Sequence, residues 1–311
     1  MNLRRTAPVL ATSLALLAAG CTGNSPARSG PQVAGTSATS PLREVGGPLV
    51  VAVGDIACAP GAESTSTTCR QTATAKLVRA YDPTLLLTLG DQQYESGALS
   101  AYRSSYADAW GTLRSITRPV PGNHEYHSSG AAGYYAYFKG RQPGPPGYYA
   151  FDVGRWRVYA LNSNCDVIDC DRQNRWLDRD MSRNPRRCSA ITMHYPRYSS
   201  AFHGSNTSVT PFWRTAVRHR ADLALAGHDH DYERFRKMNA SGSRSATGIA
   251  SFVSGAGGKS LYPFRTAVPG SVVRFDKSFG VLALRLGKGR YAWEYRTIDG
   301  KVVDDGKARC V

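Results

Sequence analysis

Short apolar runs recur along this chain, and most of them end abruptly in a polar turn. Residues 49–53, 84–89, 157–161, 190–193 and 223–226 are short, β-prone and mostly apolar, the pattern of strands buried in a sheet. Between them lie stretches compatible with amphipathic helices: 70–79, 98–113, 173–181 with Trp176 and Leu177 on one side, and 212–220. Beyond these the alternation stops, and 249–253, 281–286 and 291–295 read as strands without intervening helices. Alternation followed by a β-rich end predicts an α/β layered domain with a mixed sheet or a pair of sheets. No internal repeat interrupts it.

The turns that follow the strands hold the chemistry. Residues 49–53 lead to Gly54-Asp55, and 84–89 lead to Gly90-Asp91. Pro119-Val120-Pro121 leads to Gly122-Asn123-His124-Glu125, 190–193 to His194, and 223–226 to Gly227-His228-Asp229-His230. Open α/β folds build their sites at the carboxyl ends of strands, so these side chains are expected to converge there. A lone Gly-Asp is a common turn dipeptide. Gly-Asn-His-Glu and Gly-His-Asp-His are rarer, and five such turns in order point to a metal site. Asp, Asn, His and Tyr are the O and N donors that suit first-row transition metals. A pair of metals sharing a carboxylate can hold one phosphate across both.

The amino-terminal residues suggest a compartment. Met1-Asn2-Leu3-Arg4-Arg5 is a short basic region, and residues 7–20 are apolar apart from the small hydroxyl residues Thr12 and Ser13. That run is shorter than the roughly 20 residues that span a membrane, and it has the layout of a secretory signal. It ends in Leu17-Ala18-Ala19-Gly20-Cys21, which resembles a bacterial lipobox with Cys21 as the lipidated residue, although Ala18 stands where Leu is usual; plain secretion is the alternative. Residues 21–47 are dominated by Ser, Thr, Gly, Pro and Ala and read as a flexible tether, so one catalytic-size domain is expected over 48–311. Apart from Cys21 there are six cysteines, Cys58, Cys69, Cys165, Cys170, Cys188 and Cys310. An even number in an exported chain favours disulfides. Many connectivities are open; the short-range choice joins Cys58 to Cys69 and Cys165 to Cys170, leaving Cys188 for Cys310. No CxxC pair suggests zinc.

Composition adds one point. Hydrophobic residues at 41% and charged residues at 20% are ordinary for a globular protein. However, 39 Lys+Arg against 23 Asp+Glu favours anionic partners such as phosphorylated small molecules, nucleic acid or acidic envelope polymers. No run of five like charges and no nucleic-acid-binding motif is present, so specific nucleic-acid recognition is not expected.

Taken together, Gly54-Asp55, Gly90-Asp91-Gln92-Gln93-Tyr94, Gly122-Asn123-His124-Glu125, Met193-His194 and Gly227-His228-Asp229-His230-Asp231-Tyr232-Glu233-Arg234 resemble the calcineurin-like metallophosphoesterases, and within them the purple acid phosphatases. Gln173, Trp176 and Leu177 resemble that family's helix before the strand carrying a single His. The implied fold is a layered sandwich of two mixed β-sheets flanked by helices. Most of these enzymes place a His two residues after the first Asp, where this chain has Ala57. The purple type replaces that ligand with a Tyr from the second motif, where Tyr94 stands. The resemblance implies one metal held by Asp55, Asp91, Tyr94 and His230, and a second by Asp91, Asn123, His194 and His228, with Asp91 bridging. A phenolate favours Fe(III) at the first position; the second ion would be divalent Fe, Zn or Mn. Ala57 also departs from the family's usual Gly at that place, and the tether leaves no room for the β-sandwich of plant-type members.

The implied reaction is in-line attack on phosphorus by a metal-activated hydroxide. His124, beside a ligand but not one itself, would protonate the leaving oxygen, and His203 resembles a second substrate-side His. Glu125 is expected to orient a neighbouring His. Asp229, Glu233 and Arg234 are expected to shape their turn, His127 and His219 to be surface residues, and Asp166, Asp169 and Asp171 to form a solvated loop. A phosphomonoesterase at the cell envelope, lipid-anchored or secreted, is the leading expectation. A phosphodiesterase acting on nucleotides or envelope polymers and a non-catalytic binding lipoprotein are the alternatives. Residues 127–146 and 199–210 are the expected substrate-selecting loops, the first forming an aromatic rim or simply packing.

Overall fold

Period-two burial decides how this chain layers. In strand β1 (Leu49–Val53), Leu49, Val51 and Val53 join one apolar cluster while Val50 and Ala52 join another, because successive side chains of a strand point to opposite faces. A strand buried on both faces must sit inside a sandwich. The computed structural model describes residues 40–311, and among them the remaining strands are β2 (Leu85–Leu89), β3 (Thr117–Val120), β4 (Tyr149–Val153), β5 (Trp156–Ala160), β6 (Cys188–Thr192), β7 (Leu223–Ala226), β8 (Tyr232–Met238), β9 (Ile249–Ser254), β10 (Ser271–Phe275), β11 (Gly280–Gly287), β12 (Arg290–Thr297) and β13 (Val302–Arg309).

They form two mixed sheets. One has the order β13-β12-β11-β1-β2-β3 and the other β10-β8-β9-β7-β6-β5-β4. β1, β2 and β3 run parallel, as do β5, β6, β7 and β9, while the outer strands pair antiparallel. Val50, Ala52, Leu87 and Leu89 from the first sheet meet Val158, Ala190, Leu225 and Phe252 from the second in the central core. Outside the first sheet, Val51 and Val53 pack on the helix Gln71–Tyr81 and on Tyr102, Tyr106 and Trp110. Outside the second, Ile191 and Ala224 pack on the helices Cys170–Arg183 and Thr210–Arg218 through Leu177, Met181, Phe212 and Trp213. The result is helix, sheet, sheet, helix. Asp304 on β13 accepts from Tyr232 Oη (2.6 Å), Arg234 Nε (2.6 Å) and Trp293 Nε1 (3.0 Å), which ties the two sheets together. Three disulfides, Cys58–Cys69, Cys165–Cys170 and Cys188–Cys310, form as expected.

Several expectations change. The tether does not extend to residue 47: Pro41–Glu44 is a short helix, and Leu42 and Val45 are buried in the first cluster. Cys21 and the signal lie outside the described residues. The helix expected over 98–113 is broken into an α-turn at Leu99–Ala101, a π-helical segment Tyr102–Tyr106, an α-turn Ala107–Trp110 and a 3-10 stretch Gly111–Ile116. The wider turn brings Tyr102 and Tyr106 both inward, fully buried. Residues 127–146 form no aromatic rim; Tyr134 and Phe138 are buried against Tyr102 and Tyr106.

Candidate metal centre

The carboxyl ends of β1, β2 and β3 in one sheet face those of β6 and β7 in the other. Asp55, Asp91, His194 and His228 each stand two residues past the end of their strand, with Asn123, His230 and Tyr94 a little further along the same turns, and the backbone ladder continues across the turns through Asp55 N→Gly90 O (3.1 Å) and Gly227 N→His194 O (3.0 Å). Asp55, Asp91 and His228 have φ of 61°, 48° and 72°, a left-handed conformation that costs a non-glycine residue energy and persists where the surroundings enforce it. Gly90, also left-handed at φ 87°, lies where a side chain would run into the His194 ring.

Two groups of donor atoms result. In the first, Tyr94 Oη lies 3.0 Å from Asp55 Oδ1, 3.1 Å from Asp91 Oδ2 and 2.9 Å from His230 Nε2. In the second, His194 Nε2 lies 3.0 Å from Asn123 Oδ1, 3.2 Å from His228 Nδ1 and 3.4 Å from Asp91 Oδ2. Asp91 Oδ2 belongs to both. Asp55, Asp91, Tyr94, His194 and His230 are buried, and Asn123 and His228 are half-buried.

The spacing fits ions. At metal–ligand distances of about 2.1 Å, neighbouring donors of a tetrahedral or octahedral shell lie roughly 3.0–3.4 Å apart. Protonation fits as well. His194 Nδ1 faces the Leu89 carbonyl at 2.9 Å and must donate to it, so Nε2, directed toward Asn123, Asp91 and His228, is the ring nitrogen that would give up its proton to a cation. His230 Nδ1 is held by Ser260 Oγ at 2.8 Å, so its Nε2 is likewise directed inward. Oxygen and nitrogen lone pairs converging in a buried space call for cations, and fixing the outer ring nitrogen is how proteins orient metal-binding histidines.

Electrostatics point the same way. Burial opposes ionisation of Asp91, but the His194 imidazolium outweighs it and holds the carboxyl well below its usual range; burial would lower His194 in turn, but Asp91 and Asp55 push it up to about 9, so a metal ion at Nε2 would take the place of a proton held between the two. Burial, reinforced by the charges on Asp55 and Asp91, raises Tyr94 well above an ordinary phenol; a strongly charged cation is what draws such a phenol into a phenolate. Burial, with the adjacent His194 and His203 rings, pushes His228 down to about 2, keeping it a neutral donor.

The two non-ligand histidines flank this array. His124 donates Nδ1–H to Glu95 O at 2.6 Å, its ring lies 4.3 Å from that of Tyr94, and its backbone N–H donates to Asp91 Oδ1 at 2.9 Å. The exposed His203 stacks on His228 at 4.3 Å. Asp229 holds the His203 loop by accepting from Ser199 Oγ (2.5 Å), His203 N (2.8 Å) and Gly204 N (3.2 Å), and Glu233 holds Ser200 through its N–H and hydroxyl. Both therefore hold this neighbouring loop, where the sequence suggested that they shape their own turn. Arg234 instead pairs with Asp304, away from the turn. His127 is exposed, and His219 sits on Asp178 at the surface. Asp169 caps the helix Cys170–Arg183 by accepting from Arg172 N.

Glu125 differs from expectation. It hydrogen-bonds no histidine among the described residues; its carboxylate accepts from Gly122 N (2.7 Å), Asp91 N (2.9 Å), Gln92 N (3.0 Å), Gln93 N (3.4 Å) and Tyr102 Oη (2.9 Å). Burial and then the Asp91 charge push it up to about 7. It fixes the backbone of Asp91, whose Oδ2 both donor groups share, rather than a side-chain ring.

Other neighbours escaped the sequence reading. Tyr262 stacks on His230 at 4.0 Å, Tyr195 meets His228 edge-on at 4.6 Å, and Lys259 lies over the Tyr94 ring at 4.9 Å. Tyr195 directly follows His194 and carried a positional signal; Lys259 and Tyr262 come from a stretch with none. Beside the second donor group opens a cavity of about 430 Å³, walled by Asn123, His228, Tyr195, Ser163, Asp166 and residues 206–208. Part of the expected selecting loop 199–210 thus borders the centre.

Residues 48–232 match the family described as Calcineurin-like phosphoesterase. Purple acid phosphatase 23 of Arabidopsis thaliana is 26% identical over 210 residues, covering 55% of this chain and 46% of the relative. Purple acid phosphatase 22 of the same plant is 31% identical over 98 residues, 29% of this chain and 22% of the relative. The chain thus spans less than half the length of these curated relatives. Among solved structures, purple acid phosphatase PPD1 from yellow lupin seeds superposes with a TM-score of 0.70 at 21% identity, covering 85% of this chain and 54% of that one. GAP50, the anchor in the inner membrane complex of Plasmodium, gives 0.64 at 14% identity, with 85% and 89% covered.

Proposed function

Because the chain belongs to the calcineurin-like phosphoesterase family, we propose that it hydrolyses phosphate monoesters outside the cell membrane, in the manner of a purple acid phosphatase. The observation that carries this reading is Asp91 Oδ2, shared between two donor groups of the right spacing. Asp55, Asp91, Tyr94 and His230 would hold Fe(III), and Asp91, Asn123, His194 and His228 a divalent Fe, Zn or Mn. When bound, such a pair lowers the pKa of water and neutralises charge on phosphoryl oxygens.

The remaining chemistry falls to the chain's own groups. The Nδ1–H bond to Glu95 O locks the His124 ring and leaves Nε2 to exchange a proton with the leaving oxygen. His203, anchored through Asp229, would donate a hydrogen bond to a phosphoryl oxygen beside His228. The 430 Å³ cavity, with one carboxylate on its wall, suits a small ester carrying a polar alcohol. Three disulfides suit an oxidising compartment, and lipidation at Cys21 would place the enzyme on the outer face of the membrane.

Purified protein should hold about two metals per chain and release phosphate from p-nitrophenyl phosphate. Asp91→Asn should lose both metal and activity. Equal release by wild type and Asp91→Asn, or activity on diesters alone, would overturn the monoesterase reading.

A further inference from the structure

The strands that carry the metal ligands have a second end. Arg187 immediately precedes β6, whose far end leads to His194, and Gly47-Pro48 precedes β1, whose far end leads to Asp55. At about 3.3 Å per strand residue, the two ends lie on the order of 17 Å apart. At the ligand-free end is a cavity of about 500 Å³, walled by Arg187, Lys288, Arg290, Lys307 and Arg309, with Glu44 as its one carboxylate.

The charge there is unbalanced. Glu44 pairs with Lys307. Arg187, Lys288, Arg290 and Arg309 are exposed and make no ion pair among the described residues. Residues 1–39 contain no Asp or Glu that could serve them. Two of the four, Arg290 and Arg309, stand directly opposite each other on β12 and β13, an arrangement of like charges that destabilises a sheet. Covalent structure holds two together as well: Arg187 and Arg309 are the sequence neighbours of Cys188 and Cys310, which form a disulfide. Mutually repelling groups fixed around a hollow of ligand size favour whatever anion relieves them.

We propose that this cavity binds phosphate head groups of anionic phospholipids and docks the domain on a membrane with its metal-ligand edge turned outward. Charge complementarity argues for it, and so does position. Glu44 and Val45 of the wall belong to the segment through which residues 1–39 join the fold, so a membrane-directed amino terminus would deliver this face to the bilayer. Tethering of that kind raises the effective concentration enough for a weak site to act. The proposal is independent of the hydrolytic reading.

The test is co-sedimentation of the full chain, carrying Cys21→Ser so that no acyl chain contributes. Equimolar phosphatidylglycerol–phosphatidylcholine vesicles are compared with pure phosphatidylcholine vesicles. The protein should sediment with the former only, and less as salt rises. Each basic residue near an anionic surface is worth roughly a fivefold change in partition. Replacing Arg187, Lys288, Arg290 and Arg309 by Gln should therefore lower binding by at least about tenfold, with an unchanged far-ultraviolet circular dichroism spectrum and a cooperative thermal transition as the check on folding. Lys288→Glu alone, on the exposed turn between β11 and β12, should give a smaller loss in the same direction. Vesicle binding unchanged in both variants overturns the proposal. So does wild-type protein that ignores phosphatidylglycerol at low salt, or that binds soluble tripolyphosphate through these residues but no vesicle.

Discussion

Tyr94 reaches both carboxylates and His230 through one oxygen, and among the described residues no other phenol hydroxyl hydrogen-bonds these donor atoms. Its buried hydroxyl resists ionisation, so its colour is a sensitive report of the ion beside it. With Fe(III) bound there, wild-type protein should be violet, and Tyr94→Phe should lose the visible absorption while keeping its fold. A colourless wild type containing only zinc would defeat the iron assignment and leave hydrolysis standing. His124 makes a different prediction. A proton donor matters most when the leaving group is a poor one, so His124→Ala should lose about 10²–10⁴ in kcat on alkyl phosphates. On p-nitrophenyl phosphate, whose leaving group departs unprotonated, the loss should be much smaller. Equal losses on both substrates would assign His124 a purely structural role.

At the scale of elements, the turns after β2 and β3 behave as one unit because Glu125 joins them. Four backbone N–H groups and the Tyr102 hydroxyl converge on its carboxylate. In Glu125→Gln an amide must face one of those donors, leaving buried groups unpaired at a cost of about 2–4 kcal/mol. Thermal denaturation should show a drop of roughly 5–15 °C, with lower metal content at a given metal concentration. An unchanged melting temperature would mean that the turns hold themselves. The expectation that Glu125 serves a histidine failed because its position beside His124 said nothing about which way the 3-10 turn His124–His127 points its side chains. Strands show the same contrast. β1 and β7 lie where their apolar runs place them, since both are buried on both faces. β4, β10 and β13 went unread; each is an edge strand, half in solvent, and its pattern is diluted by residues such as Asp304, Asp305 and Lys307. β8 was hidden inside the His-Asp motif that precedes it. The candidate ligands past the strand ends were legible for the converse reason, as polar punctuation after apolar runs is rare. Lys259 and Tyr262 reach the site only through tertiary packing.

Across the whole molecule, the carboxyl terminus is drawn back onto the second sheet, and one acid sits at the junction. The Cys188–Cys310 disulfide spans 122 positions and by chain entropy contributes about 4–5 kcal/mol. Beside it the buried Asp222 accepts from Ser189 N at 3.0 Å and Val311 N at 2.7 Å. These bonds favour the carboxylate, yet burial dominates and pushes its pKa up from 3.8 to about 6. The folded state therefore binds this proton more tightly than the unfolded chain does. Stability from Asp222 is complete below pH 3.8 and is lost as pH rises through about 6, by roughly 3 kcal/mol in all. Acid stability in this part of the molecule thus comes from a carboxyl that prefers to be neutral, the reverse of the usual ion-paired acid. Asp222→Asn should abolish the dependence. Measured by urea denaturation at pH 4, 5, 6 and 7 (values about evenly spanning the transition), the variant should gain on wild type steadily as pH rises. A constant offset is expected too, because an amide facing two N–H groups satisfies only one; the slope is the diagnostic. Parallel curves for the two proteins would place the acid-range dependence elsewhere in the fold.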